Sequence, residues 1–210
     1  MKRDKRYLIV VPFPYDLSKP NFQNVYIGDP EKGLLGRGIT AVITAFERNA
    51  NVIAFGGGVM VQGEHESLFE QQALLSNLKN FKEFLPSKEA KIFDFISEHS
   101  LINFNKSSDN TEKVAEWLTI HVLEELTNVS SNKIELCIVT DPGHLRPIQL
   151  VSKELKNFRD KVNISVVLSD TPYSNEEMAI LEGPLYKLIK TQVDLLIEQN
   201  KQTAKTLTLT

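Results

Sequence analysis

The sequence predicts an α/β fold: a mainly parallel sheet of about five strands flanked by helices, followed by a carboxy-terminal helical segment. Three observations predict it. Short β-branched runs alternate with longer segments of helical period, the pattern of βα units on a parallel sheet. The runs are apolar almost throughout, as in strands covered on both faces. Clusters rich in Gly, Pro, Ser and Asn follow the runs, where a strand gives way to a loop.

Tyr7 to Val11 is the first strand in this reading. Pro12 to Gly36 follows as a loop of Pro, Asn, Asp and Gly, longer than connections in compact domains usually are, and such loops tend to be functional or mobile. Arg37 to Asn49 is a helix with Ile39, Val42, Ile43 and Phe46 on one side, and Asn51 to Phe55 is the second strand. Ser87 begins a helix whose apolar side is Ile92, Phe93 and Ile96, and Leu101 to Phe104 is the third strand. Thr111 to Leu126 is helical, with Val114, Leu118, Val122 and Leu126 in register. It opens on Asp109-Asn110-Thr111-Glu112, a variant capping box with the Asp109 carboxylate at the cap. Ile134 to Thr140 is the fourth strand and leads through Asp141 to Pro147 into a helix; Asn163 to Leu168 is the fifth. Ser174-Asn175-Glu176-Glu177 is a second capping box, opening a pattern through Leu181, Leu185, Leu188, Ile189 and Leu196 that Gly183-Pro184 should kink or split. The tail Thr203 to Thr210 should fray. The chain reads as a single domain, residues 1–210, with a core over about 7–170 and the helical segment over 174–200.

At 210 residues with 41% hydrophobic and 24% charged side chains, a core of this size needs no disulfide or metal. The lone cysteine, Cys137, lies inside an apolar run and reads as an inert core residue suited to a reducing compartment. A net charge of -3 supplies no general attraction to nucleic acid or anionic lipid. Only Tyr7 to Val11 follows the basic cluster Lys2, Arg3, Lys5 and Arg6 before Pro12, which is too short for a signal peptide. No stretch approaches the about 20 apolar residues of a membrane span. The reading is therefore cytoplasmic, with no nucleic acid and no membrane span.

Chemistry on such a sheet gathers beyond the carboxyl ends of the strands, where helix amino termini favour anions. Gly56-Gly57-Gly58 follows the second strand, where missing Cβ atoms either let amides approach a phosphate or serve a turn of positive φ. The spacing matches neither the dinucleotide fingerprint nor a P-loop. Glu64-His65-Glu66 offers acid and base groups; without spaced ligand pairs it does not make a metal site, and none is expected. Lys106 to Thr111 offers hydroxyls and a helix start to an anion, or plain helix capping. Asp141-Pro-Gly-His144-Leu-Arg146 sets an imidazole and a guanidinium at one rim; the bland alternative is a cap and a surface ion pair. His99 and His121 read as structural.

In order, Arg37 opening a helix, Gly57-Gly58 after a strand, an acidic residue soon after, Ser108-x-Asn110-Thr111 and Val139-Thr140-x-x-x-His144-x-Arg146 resemble the YdcF-like family, a bacterial domain-of-unknown-function family that also includes the SanA and ElyC proteins. The resemblance covers about residues 7–170 and implies a Rossmann-like sheet. It marks Arg37, Gly57, Gly58, Glu66, Ser108, Asn110, Thr111, Thr140, His144 and Arg146 for a polar pocket, with Glu64 an equal contender to Glu66. Two features depart from the family: the first strand ends in Pro12-Phe13-Pro14-Tyr15 rather than a Gly-rich loop, and the arginine follows the histidine by two positions rather than three.

The expectation is an enzyme for an anionic small molecule: a nucleotide, a phosphorylated sugar or a lipid-linked sugar phosphate. Arg37 and Arg146 would hold the anion, Asn110 and Thr111 orient it, and His144 with Glu66 or Glu64 move protons. Gly57, Gly58, Ser108 and Thr140 complete the ligand-binding set. The alternative is a non-catalytic binding module for a nucleoside-type ligand, S-adenosylmethionine being one candidate that the resemblance allows. No cofactor is assigned, and oligomer formation would use the carboxy-terminal segment.

Overall fold

A computed structural model describes residues 6–16, 19, 21–61, 63–128, 133–174 and scattered positions between 176 and 198. Five strands form one parallel sheet: β1 (Tyr7–Pro12), β2 (Val52–Phe55), β3 (Ser100–Ile102), β4 (Ile134–Thr140) and β5 (Val162–Leu168). Their order is β3-β2-β1-β4-β5, the Rossmann-like arrangement in which the chain fills one side of β1 before crossing to the other. Val10 pairs with Ile53 on one side and Cys137 on the other, so β1 and β4 run through the centre and are buried along nearly their whole length.

Alternation along these strands makes two cores. Leu8 and Val10 of β1, with Cys137 and Val139 of β4, face α1 (Arg37–Glu47), α2 (Glu66–Asn77) and α3 (Glu89–His99), whose Ile39, Val42, Leu74, Ile92 and Ile96 cover them. Ile9 and Val11, with Leu136 and Ile138, face α4 (Thr111–Asn128) and α5 (Arg146–Glu154) through Val114, Leu118, Ile148 and Val151. Cys137 is buried, and its thiol is pushed up mainly by that burial, as an inert core cysteine should be. At the amino edge of the sheet the buried Glu135 of β4 is paired with Arg6 and Arg48 and accepts a hydrogen bond from Ser165.

Several boundaries differ from the sequence reading. The third strand runs over Ser100–Ile102 and excludes Phe104, which is 60% exposed. The helix expected from Ser87 begins at Glu89, after Lys88 at the N-cap position. Asn110 rather than Asp109 caps α4, its Oδ1 accepting from Lys113 N at 2.9 Å, and Glu112 turns instead to Arg146. The sequence shows the start of helix α2 only as the Glu64-His65-Glu66 motif, because the buried face of the helix carries Glu66, Ser67 and Glu70 beside Leu74 and so has no apolar stripe.

The long connection after β1 is built into the core. Val25, Tyr26 and Ile27 form a buried π-helical turn, and Gly28–Asp29 pairs antiparallel with Leu34–Leu35. Gly28, at φ +112°, and Gly36 meet backbone to backbone; a Cβ on Gly28 would lie 2.6 Å from Gly36 N. The ribbon is tied to the exit of β5: Leu35 N donates to Asp170 Oδ2 at 2.8 Å, and Asp170 N to Leu35 O at 3.0 Å.

Ser174 and Glu177 close their capping box reciprocally, at 2.8 and 3.3 Å, and Val193 is buried against the α4–α5 core. Positions 181–189, Leu196, the tail Thr203 to Thr210, and Lys2, Arg3 and Lys5 lie outside the described residues. Among the described residues no helix is long and apolar enough to cross a membrane.

Candidate functional site

The sheet order reverses between β1 and β4, and a cavity of about 940 Å³ opens beyond their carboxyl ends. This is the switch point at which ligands of open parallel sheets bind. The β1 exit contributes Tyr15, Asp16 and Lys19, the loop before α4 contributes Ser108 to Thr111, and the β4 exit contributes Asp141, Gly143 and His144. Arg37 and Glu66 reach it from the starts of α1 and α2, Tyr173 from beyond β5, and Val59 and Met60 from the loop after β2.

Arg37 is 1% exposed. Its Nε donates to Asp141 Oδ2 at 2.5 Å, Nη2 pairs with the same carboxylate, and Nη1 donates to Pro14 O at 2.9 Å and Phe13 O at 3.3 Å. The Tyr15 ring lies 5.2 Å from the guanidinium carbon. One arginine thus fastens the β1 exit to the β4 exit, with its charge met by a buried carboxylate. Asp141 Oδ1 also accepts from Gly143 N at 2.7 Å, and Thr140 Oγ1 donates to His144 O at 2.6 Å. These two bonds set the turn that presents His144.

The His144 ring is half-buried, edge-on to Phe13 at 5.8 Å between centroids, and its Nδ1 is buried with no hydrogen-bond partner. Burial first, then the charges of Arg37 and Arg146, hold its pKa well below the usual imidazole value. At neutral pH it is a neutral imidazole, able to donate from one nitrogen and accept at the other.

Helix α2 places two carboxyl groups one turn apart, Glu66 in the cavity lining and Glu70 fully buried. Glu70 Oε1 accepts from Tyr15 N at 3.2 Å, and the Glu70 carboxyl group also faces the buried Tyr26 hydroxyl. Burial, and then repulsion from Glu66, push Glu70 well above the carboxylate range.

Six of the residues singled out in the sequence meet at the cavity: Arg37, Glu66, Ser108, Asn110, Thr111 and His144. Gly57, Gly58 and Thr140 lie outside the lining and support it. A Cβ on Gly57 would lie 2.6 Å from Glu66 Cγ, and one on Gly58 2.6 Å from Ser108 O, while Gly58 N donates to Ser108 O at 2.9 Å. Neither glycine has positive φ, so the close approach of α2 and of the 105–108 loop is what excludes a side chain. Glu64 is exposed on a two-residue ribbon, and Arg146, 56% exposed, pairs with Glu112; both lie outside the lining. His99 stacks on Phe95 and His121 on Trp117, as structural histidines do.

The sequence does not single out Asp141, Tyr15, Lys19, Tyr173 or Glu70. Asp141 and Tyr15 stand just past β4 and β1, where position alone marks them; Glu70 gives no signal, because α2 shows no apolar period. The lining sets Lys19 and Arg37 against Asp16, Glu66, Asp109 and Asp141, so net charge does not make it an anion site. An anion here would be met by N–H and O–H groups: the imidazole, Ser108, Thr111 and the first turn of α4, whose N–H groups lack partners within the helix. Among the described residues no group of three or more His, Cys, Asp or Glu side chains is placed to hold a metal ion.

No family model, no curated protein and no solved structure matches the chain.

Proposed function

We propose that this chain is a YdcF-like cytoplasmic protein, an enzyme acting on an anionic small molecule, a nucleotide or a phosphorylated sugar or lipid, held in the switch-point cavity. The observation that carries the reading is His144: a neutral imidazole, its Nδ1 unpartnered, in the lining of that cavity. With Nδ1 committed to no group of the fold, the tautomer is not fixed, so the ring can offer the cavity either a donor or an acceptor. Convergence of Arg37, Glu66, Ser108, Asn110, Thr111 and His144 on one cavity supports the motif series as a functional set.

In this reading His144 and Thr111 contact the anionic group, Asn110 fixes the start of α4, and Arg37 holds the two strand exits in place. Glu66 and the neutral imidazole of His144 are the proton-accepting groups of the lining. The depressed pKa of His144, which makes it a weak base, favours the second reading, a binding module that retains a nucleoside-type ligand such as S-adenosylmethionine without changing it.

Thermal shift with AMP, ribose 5-phosphate and S-adenosylmethionine, followed by analysis of the recovered ligand, tests both. A ligand at about 100 times its dissociation constant adds roughly 2.7 kcal/mol, and the gain should shrink in His144→Gln. Chemically altered ligand selects the enzyme, and unaltered ligand the binding module. A shift that is equal in His144→Gln and wild type removes the observation on which the reading rests.

A further inference from the structure

The exit of the first strand is where a doubly wound sheet ordinarily turns backbone amides toward a phosphate. Here the amides of residues 12–15 are absent or engaged. Pro12 and Pro14 have no N–H. Phe13 N donates to Val139 O at 2.9 Å, and Tyr15 N to the buried carboxyl of Glu70 at 3.2 Å. At the N-cap of α1, Gly36 N donates to Ile27 O at 3.1 Å. The carbonyls of Phe13 and Pro14 face the Arg37 guanidinium.

What this end of the cavity offers instead is aromatic. Tyr15 and Tyr173, both half-buried and both lining the cavity, share a hydrogen bond of 2.6 Å between their hydroxyls, and Asn21 Nδ2 donates to Tyr173 Oη at 3.3 Å. One phenol proton lies between the two oxygens, so the pair keeps a second proton to donate. Val59 and Met60, 38% and 41% exposed, add apolar surface to the same lining. Ring faces and apolar side chains suit a flat heterocycle, and the retained O–H can donate to a nitrogen or carbonyl on its edge.

We infer that Tyr15 and Tyr173 are specificity-determining residues that receive an uncharged ring of the ligand, so that the ligand is a nucleoside-type anion whose charged group lies toward His144 and the start of α4. The inference rests on the anionic-ligand reading above and narrows it: phosphorylated sugars without a base fit the cavity less well than nucleotides do.

Calorimetric titration of the full chain with AMP, adenosine, ribose 5-phosphate and inorganic phosphate tests it, using wild type, Tyr173→Phe and Tyr173→Leu. AMP should bind wild type more tightly than ribose 5-phosphate does. Tyr173→Leu should weaken AMP and adenosine by the worth of one base stacked on one ring, roughly five- to 150-fold, and leave inorganic phosphate within about twofold. Tyr173→Phe keeps the ring and the fold, and should retain most of the AMP affinity. Ribose 5-phosphate binding as tightly as AMP, or AMP and phosphate weakening in parallel in Tyr173→Leu, overturns the inference and spares the anionic-ligand reading. Adenosine binding that is lost in Tyr173→Leu, with no binding of phosphate, has the opposite meaning. If no probe binds wild type, both fall.

Discussion

Replacing Arg37 by Met tests whether its guanidinium is the brace between the two central strand exits. Arg37 and Asp141 are each 1% exposed at the side chain. The substitution leaves Asp141 Oδ2 buried and charged without its partner, and removes the donor to Phe13 O and Pro14 O. Losing one member of a buried ion pair costs about 3–5 kcal/mol, most of it the uncompensated charge. At this chain length each kcal/mol lowers the midpoint by about 2–4 °C, so a loss near 4 kcal/mol predicts a fall of roughly 8–16 °C. Against a typical stability of about 5–15 kcal/mol, the variant stays folded at 25 °C with much of its margin gone. Trp117 is the single tryptophan and packs against the α4–α5 core, so urea unfolding can be followed by its fluorescence. Arg37→Met with Asp141→Leu should recover part of the loss, because an apolar pair removes the stranded charge. An Arg37→Met variant within about 1 kcal/mol of wild type would refute the brace, as would a double variant whose cost is the sum of the single ones.

Acidification should destabilise the protein through His144: its folded pKa is depressed, so the unfolded chain binds more protons, and stability falls as pH drops below the ordinary value of 6.5. His144→Gln should flatten that limb in a pH series of urea midpoints. Glu70 runs the other way: with its folded pKa raised, the folded state holds the extra proton and stability falls as pH rises above 4.5. Glu70→Gln, which keeps an acceptor for Tyr15 N, should be more stable than wild type by a margin that widens with pH; a constant or reversed margin in the same series rejects the neutral buried carboxyl. Gly57→Ala and Gly58→Ala should each cost about 1–3 kcal/mol by crowding Glu66 and the 105–108 loop. Gly63→Ala meets open space at φ +88° and should cost less, under about 1 kcal/mol of strain; equal losses at all three positions in thermal unfolding would count against close approach as the reason for the first two.

The strands read best from the sequence were those the fold buries on both faces. β4 has the boundaries its apolar run predicts, because every residue in it is buried. β3 is half-buried, so the apolar pattern carried its end on to the exposed Phe104. Helix α2 escaped for the converse reason: its buried face holds Glu66 and Glu70, and a carboxylate in an apolar stripe erases the period by which a helix is recognised.

The same difficulty governs the site. A glycine pair after a strand reads as a phosphate cradle or a positive-φ turn, yet Gly57 and Gly58 are required by contacts with Glu66 and Ser108 that local spacing does not express. The family resemblance marks Arg37 as an anion holder, yet Arg37 meets Asp141 at a separation of 104 residues. Local pattern reports which chemistry a side chain can do; the long-range partner decides whether that chemistry is already engaged inside the protein. His144 therefore outweighs Arg37 as a ligand contact. Its main chain is held by Thr140 and by the turn at Asp141, while its buried ring nitrogen has no partner in the fold.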